Sequence, residues 1–523
     1  MTHSLRTLSI DQGNSAGTIG SERWRGQLVL FAMCLAAFMI QLDVTIVNIA
    51  LPTLQRDLAL GPSALEWVIS GYALSLAAFI PLAGALGDRF GHRLVVTGGL
   101  ILFGLGSLGC ALAGGSAVLL TARAVQGVGG AAILALTLAI LNRAFPPAQR
   151  SRVIGAWAAL GGIGFGAGPV VGGILLAFFG WASVFWVNLP IAVIASAMAF
   201  VTVPPGPHGT DRRALDLIGV ALPSGGLTAI TLGLIDSTSH SWIALPTALP
   251  LCGGIALLAL FLVWQGRAAH PLVPASLLRT RNFLAACGAY FASYTAFSGT
   301  LYYVTLLFQN LEQWSALETG LTWLLMNVPF LLTASVAGRL DRQFSPRHVI
   351  AGGCLVAALG VAVLACLTPD TAFPGAAFGY LAAGTGFGAL VPGITHAAMG
   401  DVPVRASGAG SAILNCSRQL GTATGLALIG ALGSGVTTAW WRAMRPDAAL
   451  ASDVTGGRLA PVQQVLGPEA RQMAANAFLA GYHVALAGAA ICLLLGGVLI
   501  AKACRPSVHL DDRQAETAER ILP

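Results

Sequence analysis

Charge is what this chain has least of: Asp, Glu, Lys and Arg make up 9% of its 523 residues, while 56% are hydrophobic and the mean hydropathy is +0.77. So few ionic groups cannot cover a globule with a wetted surface, which excludes an ordinary soluble domain. Cysteine spacing is empty as well. Nine cysteines, mostly inside apolar runs and without one C-x-x-C pair, suggest neither a disulfide framework nor a metal site. No G-x-x-x-x-G-K-[ST] phosphate loop occurs, so ATP is not the expected energy source and no cofactor is expected. No grouping of nucleophile, base and oxyanion donors occurs either, so an enzyme is not expected. The net charge of +7 is spread as ones and twos between apolar runs, which reads as membrane topology and not as a nucleic-acid surface.

Apolar runs of about 20 residues fill the rest, each long enough to cross a hydrocarbon core of roughly 30 Å as a helix. Lipid offers no partner to a bare peptide group, so every span should be helical. The 65 glycines suit helices that approach one another closely in a bilayer. Fourteen spans are expected: six in 27–203, two in 204–282 and six in 283–501, between tails at 1–26 and 502–523. A long loop, 436–475, mixed in charge and helical in places, is expected on the external side. Residues 1–26 are polar, and the first span is too long and lacks the cleavage site for a signal peptide. With the N-terminus in the cytoplasm, 21 of the 28 Lys and Arg fall on that side and five on the other, with Arg123 and Arg418 inside spans. That bias places both termini in the cytoplasm.

A faint repeat relates spans 1–6 to spans 9–14. Ser63-Ala64-Leu65-Glu66 precedes the second span and Ser315-Ala316-Leu317-Glu318 the tenth, and each span then runs into a glycine, aspartate and arginine loop: Gly84, Asp88 and Arg89 in one, Gly338, Asp341 and Arg342 in the other. Two six-helix halves with an inserted pair suit a transporter, with the substrate site near the bilayer midplane.

Four motifs carry chemistry. LDVTIVNIALP, Leu42 to Pro52, places Asp43 about two thirds of the way along the first apolar helix. A charged carboxylate is costly there, so protonation is eased where it faces a dry cavity; the alternative is a polar side chain bonded to a neighbouring helix for packing. GALGDRFGHR, with Gly84, Asp88, Arg89, Gly91 and Arg93, forms the second loop. Its glycines permit close backbone approach, and Asp88 can pair with a helix end or an arginine as a latch. In the fourth span, Leu119 to Gly130, Arg123 lies ~9 Å deep with Gln126 nearby and with Gly127 and Gly130 on its face; a guanidinium there is costly unless it faces protein or water, and the alternative is that it snorkels to the interface. GFGAGPVVGG in the fifth span aligns Gly164, Gly168 and Gly172 near one face, and Pro169 removes a backbone hydrogen bond. That helix is thin and bendable, as a gate or simply as a packing face.

These motifs together resemble the major facilitator superfamily, and within it the fourteen-helix drug:proton antiporter branch of EmrB/QacA-type multidrug exporters. The resemblance spans about residues 27 to 501. It implies an all-α integral membrane protein with the major facilitator fold, two six-helix bundles plus two inserted helices. It further implies that Asp43 and Arg123 couple protons, that the Gly84 to Arg93 loop gates, and that the Gly164 to Gly173 motif marks an antiporter. His92 stands where many members have a basic residue. Trp181 to Pro190 with Asn188, Asp216, and Arg418 with Gln419 also resemble the branch.

For the substrate, Tyr290, Tyr294 and Phe297 form a stripe in the ninth span that suits cations and flat hydrophobic molecules, or else packing. Asn327, with Trp323 and Met326, is a second candidate, and Arg418 could meet an anionic substrate or bond another helix. The expected activity is export of amphipathic drugs, dyes or antibiotics across the inner (cytoplasmic) membrane, driven by a proton gradient with a single chain sufficient. A dedicated exporter of one self-made metabolite and a non-transporting receptor or scaffold are the alternatives.

Overall fold

The computed structural model describes residues 15–205, 216–237, 242–268, 277, 280–368, 373–400, 402, 407–445 and 450–503. Among them no strand occurs. The chain runs through α1 (Ser15–Asp57), α2 (Pro62–Phe90), α3 (His92–Ala111), α4 (Ser116–Ala144), α5 (Pro147–Phe179), the short α6 (Ser183–Trp186), α7 (Asn188–Thr202), α8 (Leu217–Asp236) and α9 (Leu245–Gln265). It continues through α10 (Arg281–Leu306), α11 (Ala316–Thr322), α12 (Leu324–Ala365), α13 (Phe373–Gly400), α14 (Ser407–Met444), α15 (Ala451–Thr455), α16 (Leu459–Leu466) and α17 (Pro468–Ala503).

Among the described residues, thirteen segments are long and apolar enough to cross a membrane. The expected span missing from these is the ninth, α10, which has the length, at 26 residues, but is diluted by Tyr290, Tyr294, Tyr302, Tyr303 and several hydroxyl residues. What weakens its hydropathy is the side-chain chemistry that distinguishes it. α12 holds two spans in one run of helix, turned at Ser345, whose φ of 60° breaks the helical path just before Pro346. The side chains of Asp341 and Arg342, expected in the second gating loop, lie outside the described residues.

Two compact units emerge: Met1–Leu60 with Trp67–Ser224 and Ser315–Gly320, and Gly61–Glu66 with Gly225–Trp314 and Leu321–Pro523. In the first, α1 is the most enclosed helix, with 67% of its apolar window buried. In the second, α9 has only 11% of its window buried and meets α8 through Gly226 and Gly254, where an added Cβ on either would strike the other's carbonyl oxygen. This inserted pair therefore holds itself together at a close glycine contact and leaves most of α9 to lipid.

The loop expected at 436–475 is largely helical. α14 continues to Met444 and α17 starts at Pro468, because Trp441, Val454, Leu459, Val462, Ala470 and Ala474 bury one another in a small apolar core. A buried tryptophan gives that segment a reason to fold despite its mixed charge.

Candidate functional site

Asp43 lies on α1 with none of its surface exposed. A carboxylate so enclosed needs partners, and three side chains supply them. Arg123 of α4 donates from Nη1 to Oδ2 at 2.7 Å, while Gln126 of α4 and Asn188 of α7 each donate from their amide nitrogens to Oδ1 at 2.8 Å. Gln126 also donates to the Ser107 hydroxyl of α3 at 2.8 Å, and its own Oε1 accepts from Arg123 at 2.6 Å. Arg123 is completed by a bond from Nε to the Val68 carbonyl at 3.0 Å and by the Tyr72 ring, 4.3 Å below the guanidinium. Arg123 is therefore not a snorkelling residue: it is 2% exposed and points inward to the acid.

The backbone makes this closeness available. A Cβ on Gly106 would collide with the backbone nitrogen of Gln126, so only glycine lets α3 and α4 meet where Ser107 reaches the amide. Gly127, on the face of Arg123, sits against the Tyr72 carbonyl and Ser75 of α2 in the same way. The resulting group is one buried acid, one buried base and three neutral hydrogen-bonding side chains. Protonating such an acid discharges an ion pair inside a low-dielectric site, so the proton's presence is felt by every member of the network.

The α5 motif packs against α1, the helix that carries the acid. Gly164 meets Phe38, Gly168 meets Thr45 and Ile46, and Gly172 meets Ile46, so the glycine stripe is the seat of α1. Pro169 has no N–H to give to the carbonyl of Phe165, one turn back, and the Thr45 hydroxyl lies 3.1 Å from that carbonyl. The Gly84 to Arg93 loop behaves more simply. Gly91 turns the chain with φ of 90°, whereas Gly84 has nothing within 4 Å of where a Cβ would stand and so serves no close approach. Among the described residues Asp88 accepts from His92 Nε2 at 3.3 Å and not from an arginine; Arg89 lies over Phe90, and Arg93 over the Phe200 ring at 4.2 Å. His92, the departure from the usual motif, is thus the partner of the loop's acid.

In the second unit the aromatic stripe is assembled as its spacing suggests. Tyr290 and Tyr294 stack at 5.7 Å, Tyr294 meets Phe297 at 5.9 Å, and Phe297 meets Phe387 edge-on at 5.3 Å. Arg418 of α14 lies over Tyr294 at 5.4 Å. Asn327 is buried in α12, below the fully buried Trp323. Asp216 accepts the amide of Gly219 at 2.8 Å and caps the start of α8.

Asp43, Arg123 and Gln126 are legible in the sequence, and Asn188 only as part of a family-like stretch; Ser107 and Tyr72 are not. A serine among the glycines of α3 carries no signal of its own, since its role depends on where α4 lies.

The sequence profile of the Major Facilitator Superfamily matches residues 33–426. Over 499 residues the chain is 33% identical to the drug efflux pump JefA of Mycobacterium tuberculosis, covering 90% of this chain and 96% of that protein. It is 33% identical to the cephamycin export protein CmcT of Amycolatopsis lactamdurans, over 78% of this chain and 85% of the other. Among solved structures, a bacterial homolog of the human lysosomal transporter Spinster superposes with a TM-score of 0.67 at 16% identity, over 92% of this chain and 97% of that one.

Proposed function

Since this chain belongs to the Major Facilitator Superfamily, a family of membrane transporters and not of enzymes, we propose that it exports amphipathic drugs, dyes or antibiotics across the cytoplasmic membrane in exchange for protons. The observation that carries the coupling is the sealed ion pair of Asp43 with Arg123, braced by Gln126 and Asn188. Any buried ion pair needs its remaining lone pairs hydrogen-bonded; here the donors are neutral amides, which would keep the carboxyl oriented when protonation removes the charge pairing, as a group that alternately holds and releases a proton requires. In the proposed cycle Asp43 gives up its proton on the cytoplasmic side as substrate binds, and an external proton resets the carrier. The proton gradient is the energy source, one chain suffices, and both termini lie in the cytoplasm, as the Lys and Arg bias favours.

JefA, a drug efflux pump by its description, supports the export reading. CmcT, described as a cephamycin export protein, supports a second one, a carrier dedicated to a single antibiotic. Substrate breadth separates them. A panel of unrelated dyes and antibiotics, assayed for efflux with and without an uncoupler, should show several exported only while the gradient stands. Export of one compound alone would favour the dedicated carrier, and efflux indifferent to the uncoupler would refute proton coupling.

A further inference from the structure

We infer that Arg418 and the stacked rings of Tyr290 and Tyr294 form a binding site for aromatic substrates that carry an ionised acid group. The inference rests on the export reading above and deepens it by naming a substrate class.

Arg418 lies within the span Gly410–Met444, where a guanidinium is costly unless something compensates it. Arg123, likewise placed within a span and away from its ends, is compensated by Asp43 at 2.7 Å. Arg418 has no carboxylate paired with it among the described residues, and what it meets is the face of Tyr294 at 5.4 Å. It is also only half-buried, so its charge is open to something that is not part of the chain.

The rings beside it are held in place before any ligand arrives. The Tyr290 hydroxyl is tied to the Thr395 hydroxyl at 2.8 Å and to the Val391 carbonyl at 3.2 Å, both on α13, and Tyr294 lies nearly parallel to Tyr290 at 23°. Phe297 and Phe387 extend the row. The distance from rings to guanidinium is set by the helices. Gly421, three residues beyond Arg418, lets α14 rest on the Phe291 backbone of α10, and Gly425 does the same at Thr295. A flat ring laid on such a row would place a carboxylate or sulfonate at its edge next to the guanidinium.

A cation is disfavoured by the same surroundings. The spans formed by α9, α10, α12, α13 and α14 have no Asp or Glu in their interiors, and the buried acid packed against α14, Glu66, meets it at Gly430, twelve residues beyond Arg418, so a cationic substrate beside Arg418 would face a fixed positive charge with no acid next to it.

Equilibrium binding to the purified full chain in neutral detergent tests this, using two xanthene dyes of similar shape, fluorescein as the anion and rhodamine 123 as the cation. Fluorescein should bind at least about tenfold more tightly. Arg418→Gln should erase that preference by weakening fluorescein alone, and Arg418→Glu should reverse it. On the unaltered protein, 1-naphthoate should displace fluorescein and 1-naphthamide should not, a comparison that needs no variant to fold. Preference for the cation, an equal loss of both dyes in Arg418→Gln, or equal competition by acid and amide would overturn the inference. Displacement of fluorescein by phosphatidylglycerol but not by naphthoate would also overturn it, assigning the site to a lipid headgroup. Binding needs no ion gradient, so a failure of the export reading would show in the vesicle assay and not here.

Discussion

The Thr45 hydroxyl lies 3.1 Å from the carbonyl oxygen of Phe165, the acceptor whose helical donor Pro169 removes, and shares its one proton with the Gln41 and Leu42 carbonyls of its own helix at 3.2 and 3.3 Å. Two residues from the buried acid, α1 thereby partly replaces a hydrogen bond missing from α5. The bond links the carboxylate helix to the one point in the glycine-rich helix where the backbone ladder is interrupted.

Removing the hydroxyl at constant shape, by Thr45→Val, should therefore cost about 1–2 kcal/mol of stability and lower efflux. In a Pro169→Ala background the restored N–H satisfies Phe165, and the same change should cost measurably less. Thermal unfolding of the four proteins in detergent gives the cycle; strictly additive effects would show that the two residues do not share this carbonyl.

Asp43→Asn should abolish proton-driven accumulation of substrate in inverted vesicles while the protein still inserts in the membrane. The change strands Arg123 in a buried site, so a loss of about 3–5 kcal/mol is expected, partly recovered in the double variant with Arg123→Gln. Undiminished uphill transport in Asp43→Asn would remove Asp43 from the coupling step.

Arg123→Gln alone should lower efflux and move its pH profile, because proton exchange at Asp43 would no longer break an ion pair. Transport rate measured from pH 5.5 to 8.5 is the readout. A lower rate with an unmoved profile would make the arginine a packing element only.

Gly168→Val should separate α1 from α5, since even a Cβ at that position would overlap Thr45. Efflux and unfolding temperature should both fall. Gly98→Ala, on α3 where a Cβ meets nothing within 4 Å, should stay within about 0.5 kcal/mol and transport normally. Equal harm from the two would mean that glycine is needed for helix flexibility in general and not for this contact.

Much of the site could be read in one dimension, and the reasons are specific. Asp43 and Arg123 stand out because a charge is conspicuous in an apolar run, whoever its partner is. The glycine stripe of α5 and the tyrosines of α10 share faces because the helical period places them there. Ser107, Tyr72 and the amide of Asn188 could not be weighed in that way. Polar residues of ordinary kind, they matter because α3, α2 and α7 bring them to the acid.

The two copies of Ser-Ala-Leu-Glu show where the boundary lies. At 315–318 the serine and glutamate close on each other, with Ser315 donating to Glu318 Oε2 from both its backbone N–H and its hydroxyl at 2.8 Å, and the Glu318 amide donating back to the hydroxyl at 3.1 Å. At 63–66 the same four letters send Glu66 into the interior, 2% exposed against Gly430, with Oε2 lacking a hydrogen-bond partner. Composition and periodicity alone determined that the chain crosses a bilayer many times as helices, and which residues share a helix face, because bilayer thickness and helical pitch act on each segment separately. Which buried groups find one another was decided only by the packing of helices, because a hydrogen bond or ion pair depends on ångström-scale distances between segments that the sequence leaves 80 or 145 residues apart.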